Sequence, residues 1–324
     1  MPPESSRPVL LIATPMTAEQ VRRLAQLYPG VEIRTSDWPP PAAALAGADA
    51  AVLWQVRTEW LDGAPRLRWV HTGGAGVESQ PLADLAARGI ALTNNSGVHV
   101  PNMPEHVLAM MLAFARRLPT LIRRQQLREW RDEATHREVF DLEGQTVLLA
   151  GMGEIGLGTG ERAAALGMLV EGVRRRESLP APGFVRRTWA VRELAAALAG
   201  ADHVVNSLPL TPETRGMFGQ EAFAAMRPGA YFYNVGRGGT VDQEALTAAL
   251  RSGRLAGAGL DVTDPEPLPA ESPLWEMEQV IITSHTSGAS PRYWERATEL
   301  IGENIGRWLA GEPLRNAVDL DAGY

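Results

Sequence analysis

The stretch "TVLLAGMGEIG" (146–156) limits what this chain can fold into more than any other part of it. An apolar run of strand type leads straight into Gly151-x-Gly153-x-x-Gly156, and an Ala-rich helical segment follows at 161–167. Strand, glycine turn and helix in that order open a βαβ unit suited to a dinucleotide. The first Gly makes the tight turn, the second lets the backbone approach a pyrophosphate, and the third lets helix and strand pack closely. The pyrophosphate would lie at the helix N-terminus, where free N–H groups and the helix dipole favour an anion. An ordinary Gly-rich turn has the same outline, so the motif needs support from elsewhere in the chain. Gly158 and Gly160 weaken the first helical turn, and the sequence gives no reason for them.

Support comes from the alternation of strand-like and helical segments along all 324 residues. "PVLLIAT" (8–14), "AAVLW" (50–54), "LRWVHT" (67–72) and "IALTN" (90–94) read as strands, and 17–28 as a helix. A long helical stretch begins near Asn102, with Pro119 expected to kink or break it. A second series follows "TVLLAG": "MLVEGV" (168–173), "HVVNSL" (203–208), "AYFYNV" (230–235), "LAGAGLDV" (255–262) and "VIITSH" (280–285). Alternation of this kind implies parallel sheets and an α/β fold, and the length favours two domains. "AAALAGADAAV" (42–52) and "AAALAGADHVV" (195–205) are nearly the same string. Either this is chance in an Ala-rich chain, or the two halves are α/β units of similar plan.

Composition narrows the function classes. A net charge of −7 and a pI near 5.5 argue against a nucleic-acid partner, so any anion site must be local. The absence of cysteine removes disulfides, thiolate metal sites and thiol nucleophiles, and no metal site is expected. No apolar run approaches a membrane span, and the N-terminus lacks the basic region of a signal peptide. A cytoplasmic protein without a membrane partner is the expectation.

A dinucleotide site next expects an acid about 20 residues beyond the first glycine, to bind the ribose hydroxyls. That place is taken by Arg174, in the run Arg174–Arg175–Arg176. Asp or Glu would repel a 2′-phosphate, whereas a guanidinium matches one. Arg174 and Arg175 therefore argue for NADP(H), against the plainer reading of a solvated basic turn. Glu171 is the nearest acid, but strand alternation points it away from Arg174. Three later strand ends carry Arg237 in "NVGRGG", Glu266 in "DPEP" and His285 in "TSHTSG". Ligands of open parallel sheets bind at such ends. Together these residues supply an anion clamp, a carboxylate that orients an imidazole, and a proton donor that works near neutrality. Singly, each has a structural explanation.

With these motifs placed, the sequence resembles the D-isomer-specific 2-hydroxyacid dehydrogenases over nearly its whole length. The matching strings are "GGAGVES" (73–79), "GMGEIG" (151–156), "SLPLTPETRGMF" (207–218), "MRPGAYFYNVGRGGTVD" (226–242), "GLDVTDPEPLP" around Asp261, and "SHTSGAS" (284–290). The resemblance implies two Rossmann- or flavodoxin-like domains with parallel sheets. The substrate domain would be discontinuous, 1–101 plus 286–324, around a dinucleotide domain at 102–285, and the chain would form a homodimer. Arg237 would hold the substrate carboxylate and carbonyl oxygen, Glu266 would keep His285 protonated, and His285 would pass a proton to or from the substrate oxygen beside the cofactor. Backbone N–H groups of Ala75, Gly76 and Val77 would complete the carboxylate site. For the cofactor, the match covers Gly151, Gly153, Glu154, Ile155 and Gly156 at the pyrophosphate turn. Ser207, Leu208 and Thr214 match the loop under the adenosine half, and Val235, Asp261, His285 and Gly288 the nicotinamide side.

Arg174 departs from the acidic pattern and favours the glyoxylate/hydroxypyruvate reductase-like branch, with NADP(H) preferred and NAD(H) also accepted. Glu266 in place of Gln disfavours formate dehydrogenases, and an end at Tyr324 disfavours the long phosphoglycerate dehydrogenases. The expected reaction is hydride transfer between NADP(H) and a small 2-keto or D-2-hydroxy acid. The alternatives are an NAD(P)-binding sensor like the family's corepressors, and an oxidoreductase like the phosphite dehydrogenases.

Overall fold

Strands buried along nearly their whole length need cover on both faces, and the inner strands of both sheets are of that kind. The computed structural model describes residues 7–130, 133–176 and 178–323; the first six residues of the N-terminus weighed above for a targeting signal, Glu177 after the arginine run, and Tyr324 lie outside them. The chain forms two compact units, Met1–His99 with Ser290–Tyr324, and Val100–Ala289.

The first unit has five parallel strands: β1 (Val9–Ala13), β2 (Glu32–Thr35), β3 (Ala50–Leu53), β4 (Trp69–Thr72) and β5 (Ala91–Thr93), in the order β2-β1-β3-β4-β5. Alternation sends Leu11, Ala51, Leu53 and Val70 into one core, and Leu10, Ile12, Val52 and Trp69 into the other. The second core is closed by the helix Tyr293–Ala310, whose Ala297, Ile301 and Ile305 are fully buried. The helix Ala18–Leu27 begins with a capping box between Thr17 and Gln20.

The second unit has seven parallel strands: β6 (Thr146–Ala150), β7 (Leu169–Arg174), β8 (Val185–Ala190), β9 (His203–Asn206), β10 (Ala230–Asn234), β11 (Leu255–Leu260) and β12 (Val280–Ile282). Their order is β12-β11-β10-β9-β6-β7-β8. The order reverses between β6 and β9, the switch point where such sheets bind ligands.

β2 and β8, absent from the sequence expectation, are edge strands; β2 is mostly polar and exposed, and polar residues interrupt β8, so no apolar run marks them. The long helix ends at Ala115, before Pro119. Pro119 lies in the first turn of the next helix, Leu118–Gln126, where its missing N–H costs nothing. The expected strand "VIITSH" stops at Ile282, so His285 sits in the turn beyond it. The units divide at 99/100 and 289/290 rather than at 101/102 and 285/286. Val100 packs beside Gly158, while Thr286 and Ser287 donate to Asp261, which ties both short segments to the second unit.

Candidate active site and nucleotide cradle

The turn after β6 has the geometry that a pyrophosphate cradle requires. Gly151 has φ +97°, which favours a residue without Cβ. A Cβ on Gly156 would stand 2.0 Å from the Gly151 carbonyl oxygen, so only glycine lets the helix Glu154–Ala165 start there. Gly153 precedes that helix with open space where its Cβ would be. Gly158 and Gly160, unexplained by the sequence, are packing residues. A Cβ on Gly158 would meet Pro104 at 3.1 Å, and one on Gly160 would meet Leu149 at 2.8 Å. Glu154 occupies the first helical turn and is exposed; Ile155 is partly buried against the core beneath. Ser207, at the end of β9, donates its hydroxyl to the Gly151 carbonyl at 3.2 Å and joins the two turns at the switch point. Leu208 packs on the same turn, and Thr214 closes its own loop by donating to the Pro209 carbonyl at 2.6 Å.

Arg174 ends β7, half-buried, with Nη1 3.4 Å from the Pro180 carbonyl and Nε buried without a partner. Arg175 is exposed. It lies close enough to Glu213 to help lower that carboxyl, although the Thr211 hydroxyl lowers it more. Glu171 points elsewhere, accepting from the Trp189 indole at 2.7 Å.

Three strand-end turns of this unit interlock. A Cβ on Gly236 would lie 2.6 Å from the Leu208 carbonyl oxygen, and one on Gly238 1.9 Å from that of Thr263. The glycines around Arg237 thus let its turn rest between those of β9 and β11. Asn206 reinforces them from below, donating to Asn234 at 3.0 Å and Thr240 at 2.7 Å. Val235 is buried beside them. Gly238→Ala must push the Thr263 backbone away; a loss of about 1–3 kcal/mol is expected, read as a lower thermal midpoint.

Thr263 N–H donates to Glu266 Oε1 at 3.1 Å, and Glu266 Oε2 lies 2.8 Å from His285 Nδ1. The carboxylate accepts, so Nδ1 carries a hydrogen and Nε2 is the nitrogen left for a proton exchanged with a ligand. His285 has φ +53°, a strained conformation for a residue with Cβ. Asp261 fixes it: fully buried, its carboxylate accepts from the Thr283 hydroxyl at 2.6 Å and the Thr286 and Ser287 N–H groups at 2.9 and 3.1 Å. Asp261 thus braces the turn carrying His285 and Gly288. His106 adds a contact at 3.0 Å to the Thr283 hydroxyl, a link that no motif announced.

In the first unit, the segment Gly73–Val77 follows β4. Its carbonyls are tied back: Gly73 accepts from Asn95 Nδ2, Gly74 from the Asn95 N–H and Ala75 from Asn94 Nδ2. Among the described residues, the N–H groups of Ala75, Gly76 and Val77 have no acceptor. Three successive unpaired N–H groups make this segment a candidate nest for an anion. No cluster of His, Asp or Glu among the described residues is arranged to hold a metal.

Residues 108–287 match the model of the family described as D-isomer specific 2-hydroxyacid dehydrogenase, NAD binding domain. The chain belongs to this family. It is 34% identical to a D-3-phosphoglycerate dehydrogenase of Mycobacterium tuberculosis, with 98% of this chain and 60% of that protein covered. The chain therefore spans 60% of the length of that relative. Among solved structures, a D-isomer specific 2-hydroxyacid dehydrogenase from Xanthobacter autotrophicus in complex with NADPH and MES is 32% identical. Its TM-score is 0.84, and the match covers 98% of this chain and 100% of that one. An NADPH-dependent glyoxylate/hydroxypyruvate reductase from Sinorhizobium meliloti, in complex with NADP and sulfate, is 31% identical, with TM-score 0.81 and coverage of 98% and 100%. Membership gives the glycine turn, the Arg237 turn and the Glu266–His285 pair one shared setting, since all three lie within the matched residues.

Proposed function

We propose that this protein reduces small 2-keto acids to D-2-hydroxy acids with NADP(H), NAD(H) serving less well. The observation that carries this reading is the 2.8 Å Glu266–His285 pair at the carboxyl ends of the sheet that also bears the glycine turn. The bound cofactor supplies the hydride. His285 Nε2 gives a proton to the substrate oxygen, and takes it back in oxidation. Glu266 stabilises the imidazolium through Nδ1, and Arg237 holds the carboxylate and polarises the keto group. In the first unit, Ala75, Gly76 and Val77 offer N–H groups to a substrate carboxylate. Gly151, Gly153, Glu154, Ile155 and Gly156 hold the pyrophosphate. Ser207, Leu208 and Thr214 underlie the adenosine, with Val235, Asp261 and Gly288 towards the nicotinamide.

NADP preference rests on Arg174 and Arg175, and the NADPH and NADP complexes of the two structural relatives support it. A charge-assisted hydrogen bond contributes about 1.5–3 kcal/mol. Replacing both arginines with Ala is therefore expected to raise KM for NADPH by about ten- to a hundredfold while KM for NADH stays nearly constant. Equal rises for both cofactors would refute the phosphate clamp. Assaying both cofactors against glyoxylate, hydroxypyruvate, pyruvate, bulkier keto acids and phosphite tests the reaction itself, and cofactor binding without turnover would make the protein a sensor.

The helices Asn102–Ala115 and Leu118–Gln126 expose Leu112, Leu118, Leu121 and Ile122, and Leu127 follows them. Such a surface fits a second copy of the chain and supports the homodimer. No helix among the described residues is long and apolar enough to cross a membrane.

A further inference from the structure

We infer that His71 and Asn95 are positioning residues that hold the Gly73–Val77 nest in its donor conformation; its link to catalysis rests on the proposed keto-acid reading. The Gly73 carbonyl can only accept, so Asn95 must turn its Nδ2 to it, at 3.1 Å, and its Oδ1 to His71. Oδ1 can only accept, so His71 Nε2 carries the hydrogen, at 2.9 Å. A neutral imidazole has one N–H, so Nδ1 accepts, and the Thr93 hydroxyl donates to it at 2.8 Å. Thr93 Oγ1 in turn accepts from the Trp69 indole N–H at 2.9 Å. Asn95 spends its second N–H on the Tyr293 hydroxyl at 2.7 Å, and that hydroxyl donates to the Gly73 carbonyl.

Each donor in this chain has one acceptor, and the direction of every bond follows from the last. Trp69, His71, Thr93 and Asn95 are all fully buried, so no water competes for these groups. Burial also keeps the imidazole neutral, as the sequence of bonds requires. The result is local and specific. The carbonyls of Gly73, Gly74 and Ala75 are bound by Asn95 and Asn94, and the next N–H groups are left to face a ligand. Without His71, Asn95 loses the contact that decides which way its amide points. A reversed amide would set an oxygen against the Gly73 carbonyl and drive the nest open.

His71→Leu removes the link, and His71→Gln restores an amide N–H at the Nε2 position. Hydrogen exchange followed by mass spectrometry should find the N–H groups of Gly73 and Asn95, which donate to the Leu53 and Gly74 carbonyls, exchanging about tenfold faster in His71→Leu and at the native rate in His71→Gln. With glyoxylate as substrate, His71→Leu should raise KM about tenfold, with kcat and KM for NADPH changed less than about twofold. Tyr293→Phe, which removes one donor to Gly73 at a half-exposed helix start, gives the same pattern more weakly and serves if His71→Leu does not fold. Native exchange at Gly73 and Asn95 in a folded variant would overturn the inference, as would a parallel rise of both KM values. If the native protein turns over no keto acid, the functional reading falls while the exchange measurement still decides the positioning role.

Discussion

His285→Gln is expected to lower kcat for keto-acid reduction by about a hundred- to ten-thousandfold, the usual contribution of a positioned general acid. Gln fills similar space and can donate a hydrogen bond, but it has no proton to transfer. Cofactor binding should hold, because the glycine turn and Ser207 are anchored to each other without His285. Stopped-flow kinetics with a deuterated nicotinamide would show whether hydride transfer is the slowed step. Glu266→Gln should cost less, since Nδ1 keeps an acceptor and loses only the facing charge. In the native enzyme the rate of reduction should depend on pH, because the proton passed to the substrate oxygen must be replaced from solvent. A pH-independent rate, with hydride transfer limiting, would remove His285 from the proton path.

Arg237, Glu266 and His285 were legible from the sequence because each follows an apolar strand and sits among glycines or prolines. Their joining was not: Gly238 against Thr263, and Thr263 to Glu266, are contacts between turns that only the folded sheet brings together. The same holds for the two glycines that seemed to weaken the first helical turn. The nearest groups their Cβ atoms would meet belong to Pro104, Val100, Leu149 and Val170, all outside that helix. β2 and β8 escaped notice because a strand at the edge of a sheet needs little apolar surface. His71 and Asn95 lie 24 residues apart in neighbouring strand ends, and no local pattern pairs a lone His with an Asn at that distance. Glu171 is the converse case, where period-two alternation correctly separated it from Arg174.

Acid should destabilise both units well before their carboxylates protonate. Burial pushes His71 and His203 down to about 4 from an ordinary 6.5, against weaker opposition from Asn95 and Asp202 respectively. In the window from about 6.5 to about 4 the unfolded chain binds a proton at each site that the folded chain refuses. Stability is therefore full above that window and falls as pH drops through it, by about 1.4 kcal/mol per pH unit for each histidine. At the lower end each accounts for about 3 kcal/mol, a large share of a typical domain's margin. His71 lies in the first unit and His203 in the second, so neither unit escapes. Urea midpoints measured from pH 7.5 to 4.5 should fall steeply in the native protein. His203→Gln should remove that slope from the second unit, and His71→Gln from the first. If both variants keep the native slope, the protons are bound elsewhere, and the neutrality assigned to these buried imidazoles is wrong.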